Sequence, residues 1–246
     1  MNTNIAFTLS TIAGLSTMIG TLVIFLSKKH TLNFLIGGLS FASSVMLFIS
    51  LVDLIPESIS FLNKDLTALG TILIIAIFIS LGVIISIIID KLFPNKLKEK
   101  SLYKLGIITT IGIIVHNIPE GIATYITTSN NIKLGISITI AIAMHNIPEG
   151  ISISLPIYYE TRNYKKAFFY TFICAISEPV GALIAYLFLK PSNITLGIIY
   201  SIITGIMIYI SIYELLPEAM QYKRYRIITK FYILGFILTI INKLLF

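Results

Sequence analysis

The sequence predicts an all-α membrane protein with eight transmembrane helices, and three observations support that fold class. Hydrophobic residues make up 56% of the 246 residues, and the mean hydropathy is +0.93. Charged residues are 12% of the chain, about half of the roughly 25% in a typical soluble domain. The apolar residues also fall into eight long runs, and about 20 such residues are needed to cross a bilayer. This composition excludes a soluble protein with a large core and makes the lipid bilayer the expected environment.

The eight predicted spans follow one another with only short linkers between them. They cover residues 5–26, 34–57, 69–90, 105–127, 134–157, 167–189, 195–217 and 228–245. Since no long soluble insert separates any two spans, we expect residues 1–246 to form a single polytopic membrane domain.

Lysine and arginine are distributed unevenly between the two sides of the predicted bundle. Fourteen of the 18 lie in the linkers after spans one, three, five and seven, within residues 28–29, 91–104, 162–166 and 223–230. The other four are Lys64, Lys133, Lys190 and Lys243. Because linkers rich in Lys and Arg stay in the cytoplasm, both termini are expected outside. The same distribution accounts for the net charge of +7 without a nucleic-acid partner.

Span two ends in an acidic pattern that span seven repeats. The first copy is Asp53-Leu54-Ile55-Pro56-Glu57, and the second is Glu214-Leu215-Leu216-Pro217-Glu218. The two spans run in opposite directions in the predicted topology, so their acidic ends would lie at opposite mouths of one pathway. Asp53, Glu57, Glu214 and Glu218 are therefore candidate pathway residues. The alternative, that they are solvated helix ends, stays open at this point.

Spans four and five share the hexapeptide His-Asn-Ile-Pro-Glu-Gly, at residues 116–121 and 145–150. Residues i and i+4 lie on one face of a helix. His116 therefore points the same way as Glu120, with Asn117 beside them, and His145, Asn146 and Glu149 repeat the arrangement. Ionisable groups in the middle of a membrane span are costly and mark functional sites by default. The doubled motif is the strongest indication of function in the sequence.

Each of the three central spans has a proline next to its polar groups. Pro119 and Pro148 have no N–H, so the carbonyls of Val115 and Met144 lose their helical partners. We expect a bend and a free carbonyl oxygen at the level of each motif. Span six adds Glu178, which is followed by Pro179.

The central spans hold three carboxylates, Glu120, Glu149 and Glu178, and no lysine or arginine lies well inside any span. Bound cations, or protons alternating with them, would supply the missing positive charge. Two imidazoles, three carboxylates and two amide oxygens make a set that could hold two metal ions. Imidazole with carboxylate suits Zn²⁺ and Fe²⁺, and also Mn²⁺ and Co²⁺, whereas the lack of thiolates argues against Cu⁺. Calcium and magnesium prefer cages made of oxygen alone.

Two antiparallel spans with the same motif predict a pseudo-two-fold axis in the membrane plane, and spans two and seven would pair around this central hairpin. Inverted repeats, interrupted helices and a midplane site are typical of secondary transporters. An intramembrane di-metal enzyme and a metal-gated receptor are the alternative functions. The Glu-x-x-His and His-Glu-x-x-His patterns of di-iron and zinc enzymes do not occur here, and no output domain is evident.

The doubled His-Asn-x-Pro-Glu-Gly motif, together with Glu178, resembles the ZIP (Zrt/Irt-like) family of divalent metal transporters. The likeness covers nearly the whole chain and is to the bacterial ZupT-type branch. It implies uptake of zinc, and also of iron, manganese, cobalt or cadmium, across the plasma (inner) membrane into the cytoplasm. The metal would be the transported substrate and not a catalytic cofactor.

The resemblance also implies a ligand set and an assembly. One site would use His116, Glu120, His145 and Glu149, and the adjacent site would use Asn117, Glu120, Asn146, Glu149 and Glu178. Glu120 and Glu149 would bridge the two ions. The family suggests a homodimer and an elevator-like motion. The chain departs from many members in its loop at 91–104, which is basic and contains no histidine.

Overall fold

A computed structural model describes residues 2–27, 31–92, 102–188 and 192–245. Within these ranges it contains eight helices long and apolar enough to cross a membrane, which confirms the predicted all-α fold with eight spans. They are α1 Thr3–Leu26, α2 Leu32–Leu62, α3 Ala68–Leu92, α4 Leu102–Asn130, α5 Ile132–Thr161, α6 Tyr164–Phe188, α7 Asn193–Met220 and α8 Tyr225–Leu245. Every predicted span lies within a few residues of one of these helices.

Helices α2 and α7 extend past the predicted ends of spans two and seven. Asp53 and Glu57 therefore lie inside α2, which continues to Leu62, whereas Glu218 lies close to the end of α7 at Met220. The extension is stabilised by α7, where Ser58 Oγ lies 2.6 Å from Ser201 Oγ and donates to Gly197 O at 2.7 Å. The hydroxyl of Ser58, which follows the proline, therefore has its hydrogen-bond partners on α7, and α2 continues past this point.

Both α2 and α7 contain a π-helical turn just before the proline. The turns cover Ser50–Leu54 and Ile210–Leu215. In each turn the last amide reaches back five residues, from Ile55 N–H to Ser50 O and from Leu216 N–H to Ser211 O. Such turns widen a helix locally and are frequent at functional sites. They place Asp53 and Glu214 at equivalent positions in two antiparallel helices.

The helices pack in two groups that have matching internal contacts. In the first group α1 packs on α5 and α6 packs on α4, and in the second α8 packs on α2 and α3 packs on α7. Glycines allow close approach in the first group, since a Cβ on Gly121 would lie 1.9 Å from Glu178 O. A Cβ on Gly150 would likewise lie 1.9 Å from Thr17 O. The two groups meet mainly where α2 packs on α5.

The helix ends define two faces of the bundle. The ring of Phe7, near the start of α1, lies 5.1 Å from the ring of Tyr125 near the end of α4, whereas Phe25 near the end of α1 contacts Tyr164 at the start of α6. We call the face that holds Phe7 and Tyr125 the terminal face, because α1 begins there and α8 ends there. The membrane orientation stays a prediction. Several of the basic residues on which it rests lie outside the described residues, namely Lys28, Lys29, Lys190 and most of the loop at 91–104.

Candidate metal centre

The two motif copies bring two imidazoles and two carboxylates together between α4 and α5. Glu120 Oε1 lies 3.1 Å from His116 Nε2 and 2.9 Å from His145 Nε2. His116 Nε2 is also 3.3 Å from Glu149 Oε1. Ligand atoms of His116, His145 and Glu149 all lie within 4.8 Å of one another. The i, i+4 spacing thus places His116 beside Glu120. Helix packing brings each histidine into contact with the glutamate of the other motif copy.

The centre is closed to solvent on most sides. His116 is 0% exposed, Glu149 is 1% exposed, and His145, the most accessible of the four, is 7% exposed. Glu120 Oε2 and Glu149 Oε2 are buried and accept no hydrogen bond among the described residues. Buried carboxylate oxygens without partners are costly, and a cation between the two helices would satisfy them.

Glu178 and the two asparagines lie next to the four-residue cluster. Asn146 Nδ2 donates to Glu178 Oε1 and, at 2.9 Å, to Ala13 O of α1. Asn117 Nδ2 donates to Cys174 O of α6 at 3.2 Å. With each amide nitrogen bound in this way, Asn117 Oδ1 and Asn146 Oδ1 remain buried without a donor, as does Glu178 Oε2. These three oxygens form a second set of acceptors beside the first.

The prolines do not interrupt the helices that hold the centre. Pro119 and Pro148 lie inside α4 and α5, and Pro179 lies inside α6. The carbonyl of Ala175, which Pro179 leaves without a helical donor, lies against Gly14 of α1, where a Cβ would be 2.3 Å away. Pro179 therefore lies where α6 packs on α1, and the carbonyl of Ala175 faces α1.

The described lysines that pair with acids do so away from the centre. Lys104 Nζ lies 2.6 Å from Asp90 Oδ1, and Lys243 Nζ lies 2.8 Å from Asp53 Oδ1. The positive charge that three buried carboxylates need is therefore not supplied by a described lysine. Two imidazoles with carboxylate and amide oxygens form a mixed nitrogen and oxygen donor set, which suits Zn²⁺ and other first-row divalent ions.

A cavity of about 200 Å³ connects the centre with the terminal face. Glu120 and His145 line it together with Asp53 and Glu57 of α2, and with Tyr200 of α7. Two of the four candidate pathway acids therefore share a cavity with the metal centre.

The other two candidate pathway acids lie elsewhere on α7. Glu214 and Glu218 do not line this cavity. Glu218 is 5% exposed and accepts hydrogen bonds from Gln221 Nε2 and, at 3.3 Å, from Tyr222 OH. It is therefore a buried, hydrogen-bonded carboxylate and not a solvated helix end.

Two residues of α8 that line the cavity, Asn242 and Lys243, were not predicted from the sequence. Lys243 was counted only as a charge of the outer linkers. Asn242 could have been noticed in the sequence, because it is an amide within the last apolar span. Its position at the cavity could not, because that depends on how α8 packs against α5.

The comparisons with known proteins decide the family. A family model described as ZIP Zinc transporter matches residues 95–242. The chain belongs to the ZIP family. This membership confirms the resemblance drawn from the doubled motif, and it makes the chain an integral, multi-pass membrane protein together with the eight candidate spans.

Three curated relatives of this ZIP protein carry the name zinc transporter ZupT. The protein from Streptococcus mutans is 38% identical over 257 residues, covering 98% of this chain and 97% of the relative. The protein from Clostridium perfringens is 37% identical over 278 residues, covering 100% of this chain and 97% of the relative. The protein from Campylobacter jejuni is 38% identical over 259 residues, with 89% of each chain covered. Since the family and these relatives are transporters, the di-metal enzyme is set aside.

Proposed function

We propose that this ZIP protein is a secondary transporter that takes zinc into the cytoplasm across the plasma (inner) membrane. Residues 1–246 would act as one polytopic transport domain. The observation that carries the proposal is the buried cluster of His116, Glu120, His145 and Glu149, which shares a cavity with the terminal face. The relatives named as zinc transporters support zinc as the substrate.

We further propose that the centre holds two metal ions. The first ion would be held by His116, Glu120, His145 and Glu149. The second would be held by the amide and carboxylate oxygens of Asn117, Glu120, Asn146, Glu149 and Glu178. Support comes from the unpartnered oxygens of both asparagines and of all three glutamates. Glu120 and Glu149 would bridge the ions, since each has one oxygen near a histidine and a second oxygen free.

The donor set also bears on which other metals are carried. Histidine and carboxylate ligands without thiolates accept Fe²⁺, Mn²⁺ and Co²⁺, and Cd²⁺ would follow zinc at the imidazoles. We include these ions as substrates. Mg²⁺ and Ca²⁺ would be poor substrates because two of the donors are nitrogens.

The proposed movement follows from the packing of the two helix groups. Helices α1 and α6, α2 and α7, α3 and α8, and α4 and α5 would be the members of an inverted repeat. This pairing is supported by the matching contacts within each group and by the π turns at equivalent positions of α2 and α7. Alternating access would then arise when the group holding the metal centre moves against the other in an elevator-like manner. Assembly as a homodimer stays a prediction from the family.

The test of the proposed function is zinc uptake by purified protein in liposomes that enclose a zinc-sensitive dye. Wild-type protein is expected to give saturable uptake, and His116→Ala/Glu149→Ala is expected to give none. Iron, manganese, cobalt and cadmium added outside should compete with zinc, whereas magnesium should not. Uptake by the double variant at the wild-type rate would refute transport through this centre.

A further inference from the structure

A lysine lies in the cavity that leads to the metal centre. The side chains of Glu120 and His145, at the inner end, are 5% and 8% exposed. Those of Asp53 and Lys243, which pair further out, are 27% and 51% exposed. All four line the same cavity. A fixed positive charge beside the approach of a divalent cation should repel it, so its presence needs a physical account.

The geometry around Lys243 shows what it competes for. Its Nζ lies 2.8 Å from Asp53 Oδ1, and Glu57, one helical turn further along α2, lines the same cavity. With Lys243 in place this group of side chains has a net charge of −1, and with the ammonium withdrawn it has −2. One divalent cation would neutralise the charge of −2 that remains when the ammonium is withdrawn.

A further acceptor lies next to the lysine and belongs to the same cavity. Asn242 is 5% exposed, and its Nδ2 donates to Ala141 O at 3.4 Å. Its Oδ1 is buried and accepts no hydrogen bond among the described residues. Asn242 and Ala141 both line the cavity. The orphan amide oxygen and the two carboxylates are hard oxygen ligands of the kind a partly hydrated divalent ion accepts.

We propose that Lys243 is a tethered competitor for an outer cation site formed by Asp53, Glu57 and Asn242. Its ammonium neutralises Asp53 until a divalent ion arrives, and the ion then displaces it on the way to the inner centre. Displacement is feasible because a half-exposed ion pair is held weakly and the long lysine stem can swing into water. A monovalent ion lacks the second charge and gains less from the exchange. Lys243 thereby sets the metal concentration at which the pathway fills.

This inference rests on the proposed transport function, and its first test is the KM for zinc uptake in liposomes. An ion pair of ordinary surface strength is formed roughly half to five-sixths of the time, so Lys243→Gln should lower KM about two- to sixfold. The matched control is Lys133→Gln, which removes one charge from an exposed lysine on the terminal face outside the cavity. Its KM should stay within about 1.5-fold of wild type, because exposed charges are screened at physiological salt.

A double variant identifies the partner through which the lysine acts. In an Asp53→Asn background, Lys243→Gln should no longer lower KM, since the carboxylate it competes for is gone. The inference is overturned if Lys243→Gln leaves KM unchanged, if Lys133→Gln lowers it equally, or if the effect persists with Asn at position 53.

A binding measurement keeps this test separate from the transport proposal. In detergent, with the inner centre weakened by His116→Ala/Glu149→Ala, zinc binding is followed by equilibrium dialysis. Adding Lys243→Gln should tighten the remaining binding about two- to sixfold, by the same ion-pair argument. Tighter binding without any flux would leave the outer site standing and reject transport. Flux in the wild type with no change in binding would reject the outer site and leave transport standing.

Discussion

Glu120 is the carboxylate that both motif histidines contact, at 3.1 Å and 2.9 Å. Glu120→Gln keeps the shape of the side chain but removes the charge that would bridge two cations. Losing an outer-shell partner of a metal ligand costs about 10–100-fold, so loss of a bridging ligand should lower zinc uptake at least about 100-fold. Glu160→Gln, at an exposed position near the end of α5, makes the same charge change and should keep normal uptake. Undiminished zinc uptake by the Glu120 variant would contradict the shared-ligand arrangement.

Asn146 joins three helices, because its Nδ2 donates to Glu178 of α6 and to Ala13 O of α1. Asn146→Ala removes both the free Oδ1 and the donor that orients Glu178. If the second ion uses these oxygens, the zinc bound per chain should fall by one ion, while the histidine site stays filled. Metal analysis after equilibrium dialysis measures the ratio directly. Asn63→Ala, on an exposed turn, is the matched control, and an unchanged ratio in the Asn146 variant would count against a second ion there.

At this scale the sequence predicts contacts within one helix but not those between helices. The i, i+4 spacing was enough to place His116 beside Glu120. The hydrogen bond from Asn117 to Cys174 O and the ion pair between Asp53 and Lys243 join residues that are distant in the chain. Such partners depend on how helices rotate about their axes when they pack, and hydropathy does not report that rotation.

At the scale of helices, the contact between α4 and α6 depends on the absence of a side chain at Gly121. A Cβ there would lie 1.9 Å from Glu178 O and 2.7 Å from its carbonyl carbon, and neither backbone atom can move alone. Gly121→Ala should therefore separate the helices and destabilise the fold by about 1–3 kcal/mol, the usual cost of overpacking.

Thermal unfolding in detergent, followed by circular dichroism, tests the packing of α4 on α6. Gly70→Ala is the control, because the nearest atom to its Cβ would be Thr67 Oγ1 at 3.4 Å. It should be neutral or raise stability, since alanine is the better helix former by up to about 1 kcal/mol. Equal midpoints for wild type and Gly121→Ala would mean that the two helices are not held as closely as described.

The existence of each helix was predictable, and some features inside the helices were not. Eight apolar runs suffice to predict eight spans, because the bilayer requires that length in each. The π turns in α2 and α7, and the continuation of α2 to Leu62, were not evident. Proline followed by glutamate resembles a helix end, but Ser58 finds Ser201 and Gly197 O on α7, so the helix continues. The hydrogen bonds to α7 thus outweigh the local sequence pattern that predicts a helix end.

At the scale of the whole molecule, the two helices that carry the acidic pattern, α2 and α7, are held against each other. Ser43 Oγ donates to Ser211 O at 3.0 Å, and Ser211 Oγ donates to Ser43 O at 2.6 Å, so the two helices exchange hydrogen bonds near their π turns. These antiparallel helices form the part of the second group that faces α4 and α5. A transporter needs one group that holds the ion and another against which it moves, and this reciprocal contact stabilises the second.

The charge of the metal centre makes the stability of the whole protein depend on the cation. Glu120, Glu149 and Glu178 are buried with free oxygens, and no described lysine pairs with them. A ligand that binds only the folded state at 100 times its Kd stabilises that state by about 2.7 kcal/mol. Zinc should therefore raise the thermal midpoint of wild-type protein and a chelator should lower it, whereas magnesium should have little effect. Because the chain has no tryptophan, circular dichroism in detergent is the suitable measurement. His116→Ala/Glu149→Ala should lose most of the zinc response, and an equal response in that variant would mean that zinc stabilises the protein from another site.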